Sequence, residues 1–164
     1  MPNWCYNRIT LSHNDSEMIK RVSESFGKDN LLKEFVSPPE GFNYDDEWYS
    51  WNIENWGTKW DVRGDIEESD ENSITLFFQS AWSPPLVFYK TLFEDYGFEF
   101  TTYYYEPGMG FCGKFETSDD RLLDEYYDIQ NDLEWVKENI PEDIDDEMGI
   151  SSDIEAMEEW EDDE

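Results

Sequence analysis

The amino-acid sequence predicts an α+β fold, an antiparallel β-sheet with two helices on one face, and three observations lead to it. Some segments alternate apolar and polar residues, as half-buried strands do. In the segments between them, apolar residues recur at helical spacing. The third observation is the aromatic content, with 8 Trp, 10 Tyr and 11 Phe among 164 residues. Strongly acidic chains with few aromatic residues are typically disordered, but these rings can build a core despite the net charge of −31.

The first half of the predicted domain begins with a strand and a helix. Residues 3–12 alternate as in a half-buried strand. The next segment has N-cap chemistry at residues 13–15, apolar residues at helical spacing, and a stop at Gly27. Residues 28–57 contain Pro38-Pro39 and several Trp residues among polar ones. We therefore expect an irregular, aromatic-rich insertion there.

The second half completes a recognisable order of elements. Residues 59–66 and 73–80 have the composition of two strands of a hairpin. Pro84-Pro85 predicts the start of a helix, because proline is tolerated in the first helical turn. Residues 98–105 and 110–117 are rich in β-formers and are joined by a short turn, so we expect them to pair antiparallel. The order strand, helix, strand, strand, helix, strand, followed by one extra strand, contains the split βαβ pattern of ferredoxin-like folds.

The acidic residues are unevenly distributed and suggest a domain boundary. Residues 1–115 hold 20 acidic and 9 basic residues, a net charge of −11. Residues 116–164 hold 22 acidic and 2 basic residues, a net charge of −20. We therefore predict a ferredoxin-like domain at 1–117 and an acidic helical extension at 118–164, whose last residues fray.

The extension is predicted to begin with one long helix over residues 119–140. Its apolar residues follow the i, i+4, i+7 rule of an amphipathic helix. This stripe consists of Leu122, Tyr126, Ile129, Leu133, Val136 and Ile140. It can pack on the domain or on a second copy of the chain, so a homodimer stays open.

The opposite face of this helix is the predicted partner-binding site. At about 100° per residue it collects four acidic and two aromatic residues. These are Asp120, Asp124, Asp128, Glu138, Tyr127 and Trp135. The two rings either tuck under the rest of the segment or anchor a partner, since aromatic residues are enriched among interface hot spots.

Several functional classes are excluded or disfavoured by the residue types present. No apolar run approaches the roughly 20 residues of a membrane-spanning helix, and no secretory signal opens the chain, so we expect a cytoplasmic protein. Nucleic acids and anionic membranes need a cationic surface, which excludes them as direct partners. The single His13, and two cysteines without a C-x-x-C pair, argue against a metal or cofactor site. We expect no enzyme, although Asp61 and Glu106 are the best candidates for a carboxylate-based one.

Five short segments resemble the YubB family of phage and conjugative-plasmid proteins. They are PNWCYN at 2–7, NWGTKWD at 55–61, AWSPP at 81–85, and more weakly YEPG at 105–108 and FCG at 111–113. The resemblance implies a ferredoxin-like domain and a mobile-element origin, but no catalytic residues. The acidic segment after Thr117 lies outside it.

The charge and the resemblance together suggest a function. Carboxylates at i and i+4 of a helix lie about 6 Å apart along its axis, a spacing similar to that of successive phosphates. We expect a stoichiometric inhibitor of a host nucleic-acid-binding defence system, of restriction or CRISPR type, that acts through a DNA-mimicking acidic surface. The alternative is a protein that docks elsewhere on a host defence or regulatory factor and alters its assembly.

Overall fold

A computed structural model describes residues 2–163 as one six-stranded antiparallel sheet with helices on both faces. The strands are β1 (Trp4–Ser12), β2 (Arg63–Ser69), β3 (Ser73–Ala81), β4 (Glu99–Glu106), β5 (Phe111–Ser118) and β6 (Arg121–Asp128). The helices are α1 (Ser16–Gly27), α2 (Leu31–Phe35), α3 (Tyr44–Trp56), α4 (Leu86–Tyr96), α5 (Leu133–Asn139), α6 (Glu142–Met148) and α7 (Ile150–Asp162). None of the helices in the described range is long and apolar enough to cross a membrane.

The predicted ferredoxin-like order of elements is confirmed. The sheet order is β2-β3-β1-β4-β5-β6, so β1 lies between β3 and β4 and pairs antiparallel with both. β1 buries alternate residues on one face of the sheet, as its sequence pattern predicts. Strand β2 begins at Arg63, four residues later than expected.

The first face of the sheet carries α1 and α4 over a large apolar core. The insertion at 28–57 is more regular than predicted, because it contains α2 and α3. Buried aromatic rings hold this insertion in place. The rings of Trp51 and Trp56 are buried and meet edge to face, with centroids 5.6 Å apart. The Trp56 indole N–H donates to the carbonyl of Val36 at 2.9 Å, which ties α3 to the end of α2.

The predicted helix over residues 119–140 is wrong in its first part, where the chain forms strand β6. The chain turns back after β5 through Asp119, which adopts a left-handed conformation with φ of 55°, a conformation that Asp tolerates. Residues from Arg121 to Asp128 then pair with β5. Without β6, β5 would expose an unpaired edge, so pairing with that edge prevails over a helical apolar spacing. The helix begins only at Leu133.

The predicted apolar stripe is therefore divided between the two faces of the sheet. Leu122 packs on the core of the first face. Four others, Ile129, Leu133, Val136 and Ile140, pack in a second core on the opposite face. Tyr126 is exposed and stacks on Phe111 with ring centroids 5.6 Å apart. The six residues form no common face for a second copy, because five of them pack in the two cores of their own chain and only Tyr126 is exposed.

Helices α5, α6 and α7 form a second layer that covers part of the other face of the sheet. Their buried residues Val136, Ile144 and Ile154 pack together with Tyr105 and Cys112 of the sheet. The expectation of helices on one face is thus incomplete, because the acidic segment folds back as a second helical layer. Helix α7 continues to Asp162, so the segment predicted to fray begins within this helix, and Glu164 lies outside the described residues.

Candidate functional site

The predicted partner-binding residues do not form one helix face. Asp120 lies in the β5–β6 turn, while Asp124 and Asp128 lie on β6. Residues four apart on a strand are separated by roughly 13 Å, at about 3.3 Å per residue. The predicted spacing of about 6 Å is therefore wrong for these aspartates, because their segment is extended.

The two aromatic residues of the predicted site are half-buried within the same chain. Tyr127 lies opposite Cys112 in the β5–β6 ladder and packs on the second-face core, and its hydroxyl donates to Glu125 at 3.2 Å. Trp135 packs on the same core from α5. The structure thus tucks both rings against neighbouring elements. Glu138, on α5, is the one predicted site residue that lies exposed on a helix.

The helical layer carries a different set of exposed carboxylates, which we call the outer carboxylate pairs. Each helix has a pair of exposed carboxylates at i and i+4 that makes no ion pair within residues 2–163, and its two members lie about 6 Å apart along the helix axis. They are Glu134 and Glu138 on α5, Glu142 and Asp146 on α6, and Glu155 and Glu159 on α7. Among the ion pairs of residues 2–163, none involves these six side chains.

Other acidic residues of the same layer face the sheet and are held by polar partners. The Lys114 ammonium donates to Asp143 at 3.0 Å. Burial alone would raise the pKa of Asp143, but this hydrogen bond and the charge of Lys114 lower it below the usual value. Asp153 accepts a hydrogen bond of 2.6 Å from the Tyr105 hydroxyl. These acidic residues thus have polar partners on the sheet, with Lys114 balancing the charge of Asp143, whereas the outer carboxylate pairs have no ion-pair partner within residues 2–163.

Both carboxylates proposed for an enzyme hold the backbone. The Asp61 carboxylate accepts from the N–H groups of Leu32 at 2.9 Å and Lys33 at 3.0 Å, which caps α2. Burial raises the pKa of Asp61, and these hydrogen bonds oppose the rise. Glu106 is fully buried, and its carboxylate accepts from the N–H groups of the 108–109 turn at 2.6 and 2.8 Å. Each carboxylate thus accepts hydrogen bonds from backbone N–H groups that would otherwise lack a partner, as a capping residue does.

The segments that carry the sequence resemblance meet at one end of the sheet. The Thr58 hydroxyl donates to the carbonyl of Ala81 at 2.9 Å, and the Ser83 hydroxyl donates to that of Gly57 at 2.6 Å. The Trp82 N–H donates to the carbonyl of Asn3 at 2.8 Å. These contacts join β1, the α3–β2 connection and the start of α4, so the motifs hold the fold together.

The cysteines are buried and form no metal cluster. Cys5 and Cys112 are both free and fully buried. Burial, together with the charge of Asp145, raises the pKa of the Cys112 thiol to about 12. Within residues 2–163, no three His, Cys, Asp or Glu side chains are grouped so that they could hold a metal ion.

The comparisons with known proteins identify a family. In solved structures, the chain is similar to the crystal structure of a protein Api92 from Yersinia pseudotuberculosis, at 12% identity over 79% of this chain and 99% of that chain, with a TM-score of 0.48. The comparison with curated proteins gave no match. A family model described as the ferredoxin-like domain in Api92-like protein matches residues 55–159, which include most of the acidic segment. Because this match spans more than half of the sequence, the chain belongs to the family of Api92-like proteins with a ferredoxin-like domain.

Proposed function

We propose that the protein is a stoichiometric inhibitor of a host nucleic-acid-binding defence system, of restriction or CRISPR type, and that it acts in the host cytoplasm. The outer carboxylate pairs would occupy the basic surface on which the target binds DNA or RNA. The sequence resemblance to the YubB family supports a phage or plasmid origin. A protein of this kind needs no catalytic site.

The observation that carries the proposal is the set of outer carboxylate pairs. All six carboxylates are exposed, and in each pair the two lie one helical turn apart. The three helices that hold them pack on a six-stranded sheet through a common core. Pairs of negative charges with a spacing of the same order as that of phosphates, fixed on a folded scaffold, offer a basic groove the electrostatic attraction that DNA offers.

The amount of charge also argues for a role beyond solubility. A net charge of roughly 2–8 in magnitude is sufficient to keep a small domain soluble, and this chain has −31. Such an excess destabilises a compact chain by self-repulsion. The excess charge and the absence of ion pairs at the outer carboxylate pairs therefore support a cationic partner for that surface.

Displacement of host proteins from immobilised DNA tests the proposal. Bacterial lysate is loaded on a DNA column at about 50 mM salt, and bound proteins are eluted with the purified protein. The matched variant replaces Glu134, Glu138, Glu155 and Glu159 with Gln, which keeps the size and exposure of each side chain. Polyglutamate of equal net charge serves as the control for unspecific displacement by a polyanion.

The proposal expects a small set of nucleic-acid-binding proteins to leave the column with the wild type, and not with the variant or polyglutamate. Elution of the same proteins by all three agents would mean unspecific polyanion exchange and would overturn the proposal. Elution of none would overturn it too. A host protein that binds the wild type while staying on the DNA would support the alternative, docking that alters assembly without competition.

A further inference from the structure

The helical layer leaves an open groove beside it on the second face of the sheet. The groove lies between α6 and α7 on one side and the uncovered parts of β1 and β3 on the other, with a volume of about 710 Å³. Its floor is aromatic, because the Tyr6 and Phe77 rings stack with centroids 6.2 Å apart and Tyr105 lies next to Tyr6. Ala156 and Met157 of α7 form part of its wall.

The charges around this floor are predominantly negative. Asp146, Glu147 and Asp153 line the groove from the helices. Arg8 is the one basic residue in the described lining, and its guanidinium is already occupied. It donates to Glu67 at 2.9 and 3.1 Å and to the backbone carbonyl of Glu147 at 2.6 Å. An anionic ligand would therefore find no free positive charge here, whereas a cationic one would find the unpaired carboxylate of Asp146.

Apolar surface continues from the groove along α7. Met157 is 40% exposed, and Trp160, one helical turn further on, is 78% exposed. Flexible methionines adapt to varied apolar partners, and exposed Trp residues are enriched among binding hot spots. The volume of the groove lies within the roughly 300–1,000 Å³ of ligand clefts, so it can take more than one large apolar side chain.

We propose that this groove binds a cationic amphipathic segment of a partner protein. Apolar side chains of the segment would insert over the Tyr6–Phe77 floor and against Met157, while its Lys or Arg side chains would meet Asp146 and Asp153. The charge selects this occupant, because a second copy of the chain would bring a further net charge of −31. Asp146 belongs both to this groove and to the outer carboxylate pairs, whereas Glu134, Glu138, Glu155 and Glu159 lie outside the groove lining. The inference therefore does not depend on DNA mimicry.

A designed peptide tests the proposal by fluorescence anisotropy. The probe is a fluorescein-labelled peptide with Leu and Lys at the spacing of an amphipathic helix. A second peptide replaces Leu with Ser at the same charge, and a third replaces Lys with Glu. The protein is used as wild type, as Met157→Ser, and as Ile53→Ser, a matched control on α3 with the same 40% exposure.

The Leu–Lys peptide should bind the wild type, and Met157→Ser should weaken binding about tenfold, as loss of one apolar contact allows. Ile53→Ser should change binding less than about twofold. Ala156→Trp, which adds a ring in the groove without removing a contact, should abolish binding, and circular dichroism verifies that each variant is folded.

Equal binding of the Ser–Lys peptide, or wild-type affinity in both groove variants, would overturn the proposal. The variant with Gln on α5 and α7 should retain the peptide, which separates this result from the test of the proposed inhibitor.

Discussion

Replacement of Ile144 by Ala should destabilise the whole domain, because the acidic segment is part of the fold. Ile144 is fully buried on α6, in the core between the sheet and the helical layer. Truncation of a buried Ile to Ala costs about 2–5 kcal/mol, depending on how well the cavity can collapse. The site lies between an antiparallel sheet and three short helices, so we expect about 3 kcal/mol. For a domain of this size, that lowers Tm by roughly 6–12 °C.

Thermal and urea unfolding measure this effect. Far-UV circular dichroism follows the helices, and Trp fluorescence follows the rings buried mainly on the first face. Both signals should shift together, in one transition with an unchanged urea m-value. Met157→Ala, on the exposed side of α7, is the control and should change stability by less than about 0.5 kcal/mol. If Ile144→Ala leaves the fluorescence transition in place, or a separate early transition of the helices appears, the second layer is not part of the cooperative core.

Three further predictions concern single side chains. Glu106→Ala should cost about 1–3 kcal/mol in urea unfolding, because two N–H groups of the 108–109 turn lose their acceptor. Asp143→Asn should cost up to about 1 kcal/mol at pH 7, because the half-exposed pair with Lys114 is screened by solvent. The lowered pKa of Asp143 means that this stability is present above the ordinary carboxyl value and is lost on acidification, so the two proteins should converge below about pH 4. The buried Cys112 thiol, with its pKa raised to about 12, should react with a thiol reagent at pH 8 only after unfolding.

The ferredoxin-like part of the fold follows from local sequence patterns. Strand β1 alternates strictly, and α1 has both its Asp15 cap and its Gly27 stop. These signals are local, and each agrees with the position of the element in the sheet. Strand β6 differs because its segment is compatible with two structures. Its apolar residues satisfy helical spacing, while its paired Leu and Tyr residues also suit a strand that packs on both sides.

The interaction that makes residues 121–128 a strand lies outside these residues. Without β6, one edge of strand β5 would be unpaired, and a short turn at Asp119 brings the chain back to that edge. An edge of this kind is a tertiary feature and cannot be read from the periodicity of residues 119–140. The residue types at this turn are compatible with it, because Asp tolerates the left-handed conformation that Asp119 adopts.

The strand also separates the residues of the predicted site. A continuous helix would place Asp124 and Asp128 on the same face as Glu138, but the two aspartates lie on β6 and Glu138 lies on α5. Only Glu138 remains in the outer carboxylate pairs. Pro141 and Gly149 mark where α6 and α7 begin. With these boundaries, the i and i+4 spacing in the sequence identifies the pairs on α6 and α7.

The central claim, competition with nucleic acid through the outer carboxylate pairs, is tested most directly on a host protein eluted from the DNA column. Labelled duplex DNA bound to that protein is titrated with the wild type and with the α5–α7 Gln variant, at about 50 and 200 mM salt. We predict displacement of the duplex at a one-to-one ratio, a steep loss of displacement at the higher salt, and a more than tenfold weaker effect of the variant. A complex that retains the duplex, or equal displacement by the wild type and the variant, would contradict the claim.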